Sequence, residues 1–269
     1  MRLVAGLACI VLAGCGGGGS DGGSPIGGGG PTSPPPAPPP TLSPGGAWFG
    51  VQRFENDPPL FLEGAVTEDG RFHFLREDGV QFVGEMSVQG SSASGSYRAA
   101  LPFGESWADG SNTSSGSVSL TIAERESLSG TFTFQTGGGT SGSGTVELDF
   151  DPIYERPSSL AIVAGNYTRA DAPGTDSVNV NSNGELFFQE IFSTCIANGQ
   201  VSVIDSRFNL YDIEYTYANC TGQDAILNGV TVSGIGGLDN TVSPELFIAG
   251  LVGTVSGVDV AAIFFYQRN

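Results

Sequence analysis

Apolar and polar residues alternate along most of the chain beyond residue 45. Clear examples are residues 71–75, 117–122, 131–134 and 145–151, where every second side chain is apolar. This spacing is typical of β-strands with one buried face and one wet face. Short turn sequences separate the runs: Glu68-Asp69-Gly70, Glu77-Asp78-Gly79 and Asn183-Gly184. No run places apolar residues at helical spacing, so we predict an all-β protein.

A weak internal repeat divides this region into two halves. Residues 46–50 can be matched to 164–168, and residues 60–74 to 176–188, where both halves read as strand, acidic or Asx turn, glycine, strand. The match continues from residues 83–97 to 198–212. We predict two tandem antiparallel meanders of about eight strands each, forming small barrels or strongly bent sheets. The expected domains are 45–156 and 157–269, and one continuous sandwich or barrel is the alternative.

The first residues are typical of an export signal. Arg2 precedes an apolar run over residues 3–12, which is too short to cross a bilayer as a helix. The run ends in Leu12-Ala13-Gly14-Cys15, which resembles the lipobox of bacterial lipoproteins. That resemblance implies a signal peptide at 1–14, lipid on Cys15 and, because Gly16 is not aspartate, anchoring in the outer membrane. Several acyl chains would hold the protein stably. An ordinary cleaved signal with an incidental cysteine is the alternative.

A segment without core-forming residues follows the lipobox. Residues 15–44 are rich first in glycine and then, from Pro31 to Pro40, in proline. Glycine-rich chain behaves as a flexible coil, and proline-rich chain extends by about 3.1 Å per residue. We therefore predict a disordered tether that holds the folded part away from a lipid surface, and simple filler is the alternative.

The cysteine count agrees with export. After Cys9 leaves with the signal and Cys15 takes lipid, Cys195 and Cys220 remain. They bracket two predicted strands, and a bridge between strand ends fits an oxidising compartment. In the chain-entropy model a loop of this length contributes about 3.5 kcal/mol. A redox or metal-binding pair is less well supported, because there is no Cys-x-x-Cys motif.

Charge narrows the choice of partners. The chain has 28 acidic and 10 basic residues, a formal charge of −18, and all the basic residues are arginine. Such a surface disfavours nucleic acid as a partner. Without lysine, the chain has no Schiff-base nucleophile and no P-loop lysine. We predict neither a cofactor nor nucleic-acid binding.

Candidate catalytic residues are few. The single histidine, His73, lies between two phenylalanines in an alternating strand, so its side chain should point to the opposite, solvated face. Glu147, Asp149 and Asp151 share one face of a strand and are weak candidates for a calcium site or for glycosidic chemistry. A solvated acidic face is the favoured alternative. The stretch 109–112 resembles part of a calcium loop but is expected to be a turn.

The stretch Gly46-Ala47-Trp48 resembles the glycine-x-tryptophan start of the lipocalins, eight-stranded barrels that bind small apolar ligands. The plan of two barrels on a lipid anchor is similar to surface lipoproteins of the transferrin-binding type. We therefore expect a non-enzymatic, lipid-anchored protein of the outer membrane that binds a protein partner or a small molecule. The alternatives are an envelope structural protein or hydrolase inhibitor, and a carbohydrate-active enzyme that uses two carboxylates.

Overall fold

The structure, a computed structural model, describes residues 41–269 except 56, 170–175 and 191–193. Sixteen β-strands lie within this described part. The first eight are β1 (Gly46–Phe54), β2 (Leu60–Val66), β3 (Arg71–Arg76), β4 (Gln81–Gln89), β5 (Ser92–Pro102), β6 (Ser114–Ala123), β7 (Ser127–Thr136) and β8 (Ser141–Asp151). The others are β9 (Gly165–Arg169), β10 (Asp176–Val180), β11 (Glu185–Glu190), β12 (Ile196–Val203), β13 (Tyr211–Ala218), β14 (Thr231–Asp239), β15 (Leu246–Val255) and β16 (Val258–Arg268).

The first eight strands form a closed antiparallel barrel. Each strand pairs with the next, and β1 also pairs with β8, with Gly50 opposite Leu148. Closure removes the free strand edges that would otherwise attract other chains. The inward side chains fill the barrel with a buried apolar cluster. Its members include Leu62, Val66, Phe72, Phe74, Phe82, Met86, Leu120, Leu128, Phe132, Val146 and Leu148.

The last eight strands repeat this plan. They pair in sequence from β9 to β16, and β16 returns to β9 with Gln267 opposite Thr168, which closes a second ring. A separate buried cluster fills it, including Val178, Leu186, Phe188, Tyr211, Ile213, Leu238, Phe247, Leu251 and Phe264. The strand order matches the sequence repeat: β1–β5 correspond to β9–β13. The predicted all-β class with two eight-stranded antiparallel meanders is confirmed.

Residues 152–164 connect the two rings. A 3₁₀ turn covers Pro152–Glu155, and the short helix α1 covers Leu160–Val163. Another 3₁₀ turn, Gly222–Leu227, joins β13 to β14. In the described part of the chain, no helix is long and apolar enough to cross a membrane.

The two rings pack against each other within one compact unit, Pro39–Asn269. A small buried cluster of Ala65, Tyr154, Leu210 and Ile235 contains residues of both rings and of their connection. A short parallel pairing joins β16 to β5, with Val260 opposite Leu101. The two rings therefore have separate interiors and share a packed outer surface, which we call the seam.

His73 lies in this seam, and the expectation of a solvated histidine was wrong. Its side chain points away from the interior of the first ring, as the alternation predicts, but β14 and β15 cover it and leave it 5% exposed. Gly234 and Gly250 make room for the imidazole: a Cβ at Gly250 would lie 2.6 Å from His73 Nε2. Alternation in the sequence shows which side chains share a face of a strand. It does not show that a second barrel packs on the outer face, which is why the prediction for His73 failed.

Candidate functional site

The two ends of the first barrel differ. At one end, residues 42–45 pack against the barrel, and the indole Nε1 of Trp48 donates a hydrogen bond to the Pro44 carbonyl at 3.2 Å. At the other end lie the loops β1–β2, β3–β4, β5–β6 and β7–β8. We call the first the plugged end and the second the mouth.

A cavity of about 500 Å³ occupies the mouth. This volume falls within the range of roughly 300–1,000 Å³ that small-molecule sites occupy. The cavity is lined mainly by apolar side chains: Phe54, Pro58, Leu60, Phe82, Tyr97, Trp107, Phe132 and Phe134. It shares Gln52, Phe82, Tyr97 and Phe132 with a smaller cavity of about 60 Å³ deeper in the barrel. The two cavities therefore lie next to each other, on either side of these four side chains.

Aromatic rings support one another in the wall. Phe54 packs edge-on against Phe132 and Phe134, with ring centroids 5.3 and 5.7 Å apart. Phe82 meets Tyr97 in the same way at 5.5 Å. Such edge-to-face pairs stabilise each ring in one orientation. The wall is therefore shaped before any ligand enters.

A buried arginine lies beside this wall. Arg76 donates to both carboxylate oxygens of Asp78 at 2.8 Å, and its guanidinium carbon lies 5.5 Å from the centre of the Phe82 ring. Burial acts to raise the pKa of the Asp78 carboxyl, but the hydrogen bonds and charge of Arg76 outweigh it and lower that pKa overall. The Asp78 carboxylate therefore offsets the charge of Arg76, and the pair contributes little net charge to the cavity. Burial raises the pKa of Tyr97 to about 12, so its phenol stays neutral.

The β5–β6 loop brings Trp107 to the mouth. The Trp107 backbone N–H donates to the Ser111 carbonyl at 2.9 Å, and Gly110 N–H donates to the Trp107 carbonyl at 2.8 Å. Asp109 fixes the loop by accepting hydrogen bonds from Thr136 and Ser111, which lower the pKa of its carboxyl. The expected turn at 109–112 is present, with Gly110 at a φ of +78°. The Asp109 carboxylate therefore holds the β5–β6 loop in position.

The predicted cysteine sites have different outcomes. Cys15, with the signal peptide and most of the tether, lies outside the described residues. Cys195 and Cys220 form a disulfide, as predicted. Cys195 directly precedes β12 and Cys220 follows β13, so the bond joins adjacent strands at one end of the second barrel.

The three acidic residues of β8 do not form a cluster. Glu147 and Asp149 are exposed on the outer face, and Asp151 accepts a hydrogen bond from the Ile153 backbone at 3.0 Å. Among the described residues, no group of three or more His, Cys, Asp or Glu is arranged to hold a metal ion. The weak metal candidates gain no support from this arrangement.

Two further clefts follow the seam. The larger, about 620 Å³, is lined by charged residues that include Arg71 and Asp212, which form a bidentate ion pair at 3.0 and 3.2 Å. The smaller, about 200 Å³, is lined by Glu63, Asp151 and Asp239 over an apolar floor, and burial raises the pKa of Glu63. In the larger cleft, Arg71 and Asp212 are paired with each other across the two barrels, so their charges are already engaged. The mouth cavity combines volume with an apolar wall and is the stronger candidate for ligand binding.

No protein-family model matches the chain, and neither does any curated protein. The choice of the mouth cavity as the candidate site is therefore based on its geometry. Sequence reasoning selected residues 109–112 of the β5–β6 loop only as a turn, and it did not select Arg76, because the roles of these residues in the cavity depend on strands that are distant in sequence. The available signal was the alternating phenylalanines of β7, Phe132 and Phe134, which predicted an aromatic inward face without showing that it borders a cavity.

Proposed function

We propose that this chain is a non-enzymatic, lipid-anchored protein of the cell envelope whose first barrel binds a small molecule with an apolar body. The observation that carries the proposal is the mouth cavity, which is large enough for a ligand and opens onto an aromatic wall. The lipobox-like sequence at Leu12–Cys15 supports the anchor.

Apolar walls favour ligand entry because burying apolar surface gains roughly 25 cal/mol per Å². The wall is already ordered, so ligand binding costs little side-chain entropy and the affinity is higher. The plugged end leaves the mouth as the route into the first barrel, so a ligand enters past Trp107 and Phe134.

The first experiment measures binding of the uncharged fluorescent probe N-phenyl-1-naphthylamine to the full chain. We expect saturable fluorescence enhancement, together with energy transfer from Trp107. Ser114 faces the cavity and Ser115 faces solvent on the same strand, so they offer a matched pair. Ser114→Leu should weaken probe binding at least tenfold, and Ser115→Leu should leave it unchanged. Equal binding by both variants, or none by the wild type, would exclude the mouth as the site.

The anchor is tested separately in producing cells. Metabolic palmitate labelling should mark the wild type and should be lost in Cys15→Ala. Proteinase treatment of intact cells then distinguishes an external from a periplasmic folded part. If the wild-type protein is not labelled, the proposed lipid anchor is wrong, whereas the proposed binding site is unaffected.

A further inference from the structure

Gln52 places an amide group at the inner end of the mouth cavity. Its side chain is 5% exposed and lines both the mouth cavity and the smaller, deeper cavity. Arg76 Nη1 makes a long contact of 3.4 Å to Gln52 Oε1, and because a guanidinium can only donate, this contact places the amide oxygen towards Arg76. The Gln52 Nε2 group therefore points elsewhere, and it has no hydrogen-bond partner among the described residues.

This amide nitrogen is open to the cavity. In the described part of the chain, two side-chain nitrogen or oxygen atoms are both shielded and without a partner, Trp107 Nε1 and Asp176 Oδ1. Gln52 Nε2 is not one of them, so it borders open space and not packed atoms. The hydroxyl of Ser114, a residue 7% exposed, is in the same situation on strand β6. A ligand can therefore reach Gln52 and Ser114, whereas Trp107 Nε1 is out of reach.

The size of the deeper cavity determines how a ligand lies. Its volume of about 60 Å³ is far below the roughly 300 Å³ at which small-molecule sites begin. The body of a ligand therefore stays in the mouth cavity of about 500 Å³. Tyr97 is the other polar side chain that borders both cavities, and its hydroxyl already donates to the Thr133 carbonyl at 2.9 Å. Among the described side chains at this boundary, Gln52 Nε2 is therefore the donor without a partner.

The surroundings of Gln52 determine which group it binds. Phe82 and Phe132 border the same boundary, and an unpaired donor among apolar side chains is costly, so Gln52 Nε2 favours a ligand atom that accepts. The neighbouring guanidinium of Arg76 is paired with Asp78 and is not free to pair with an anionic group. An uncharged carbonyl oxygen meets both conditions.

We propose that the first barrel binds its ligand polar end first. An uncharged carbonyl oxygen accepts a hydrogen bond from Gln52 Nε2 at the inner end of the mouth cavity, and the apolar chain extends outward along Phe54 and Phe134. This inference rests on the proposed small-molecule function and specifies the class of ligand and its orientation.

The test is displacement of N-phenyl-1-naphthylamine from the full chain by 2-nonanone and 5-nonanone, isomers that differ only in the position of the carbonyl. We expect 2-nonanone to displace the probe at roughly tenfold lower concentrations, because a carbonyl near the chain end reaches Gln52 while the chain stays in the mouth. Octanoate, which carries a charge, should be at least tenfold weaker than 2-nonanone, as the cost of burying an unpaired anion predicts.

Two variants separate Gln52 from the other open polar group of the wall. Gln52→Met removes the amide and should abolish the preference for 2-nonanone over 5-nonanone. Ser114→Ala removes the hydroxyl and should leave that preference in place. If Gln52→Met does not bind the probe, Gln52→Glu takes its place, because it keeps the shape of the side chain and removes the N–H donors.

The infrared carbonyl stretch of bound 2-nonanone, labelled with ¹³C at its carbonyl, provides a direct readout. Hydrogen bonding lowers this frequency, so we expect a lower wavenumber in the wild type than in the Gln52 variant. A failure of the probe to bind the wild type would overturn the proposed function itself. Three outcomes would overturn this inference alone, given probe binding: equal displacement by the two ketones or by neither, octanoate as effective as 2-nonanone, and a preference or frequency shift that persists in the Gln52 variant.

Discussion

His73 should make the stability of the folded chain depend on pH. Burial in the seam is the main cause that lowers the pKa of His73 from 6.5 to about 4; the hydrogen bond with Gln81 opposes it, and the charge of Arg98 adds to it. Gln81 Nε2 donates to the Ala262 carbonyl at 2.8 Å, so its Oε1 accepts from His73 Nε2 at 2.6 Å. A proton added to the imidazole must enter this covered site on Nδ1.

The folded state therefore binds the proton less readily than the unfolded chain. The stabilising contribution of the neutral, buried His73 is fully present above its unfolded pKa of 6.5. It is lost as the pH falls from there through the folded pKa of about 4. Linkage gives a loss of about 2 kcal/mol between about pH 7 and about pH 5, approaching roughly 3 kcal/mol near pH 4. His73→Asn removes the titrating group, and we expect the difference in unfolding free energy between the two proteins to follow this curve.

Urea unfolding at a series of pH values measures that difference, and carboxylates common to both proteins cancel from it. Because His73 is the only histidine in the chain, the imidazole proton signal in an NMR titration reports its pKa without assignment. A titration midpoint near 6.5, or a pH-independent difference between wild type and His73→Asn, would refute the burial argument.

Four further changes test other parts of the molecule. Gly250→Val should destabilise the fold by about 1–3 kcal/mol through overpacking against His73, measured by urea unfolding, with the exposed Thr254→Val as a control. Cys195→Ser with Cys220→Ser should cost about 3.5 kcal/mol for a sequence separation of 25, and unchanged thermal stability would contradict this. Phe132→Ala, in the buried core, should cost about 3–5 kcal/mol, with the exposed Thr133→Ala near neutral. Arg268→Met removes donors to the Ala164 and Ile162 carbonyls and should cost about 2 kcal/mol, visible as a lower chemical-denaturation midpoint.

Alternation and turn residues were sufficient to predict the strands and their repeat. The stretch 131–134 predicted an inward face that the structure places at Phe132 and Phe134, and the matched segments of the two halves occupy corresponding strands. Local patterns succeed here because a strand with one wet side must alternate, whatever it pairs with.

The seam and the mouth could not be predicted in the same way. The burial of His73 depends on Gly234 and Gly250, which lie more than 150 residues further along the chain. Trp107 lies in a loop without periodic signal, and its role depends on walls from other hairpins. Contacts between distant segments leave no trace in local spacing, so a single sequence does not reveal them.

The plugged end also determines how mechanical load reaches the fold. Leu42 N–H donates to the Gly90 carbonyl at 3.0 Å, Ser43 is bonded to Glu68, and Arg125 holds the Gly45 carbonyl. A pull on the chain from its N-terminal side is therefore borne by this end and passed along β1 into its neighbours, β2 and β8. The β5–β6 loop, which carries Trp107, is not joined to β1, β2 or β8, so such a pull reaches this side of the mouth only through other strands.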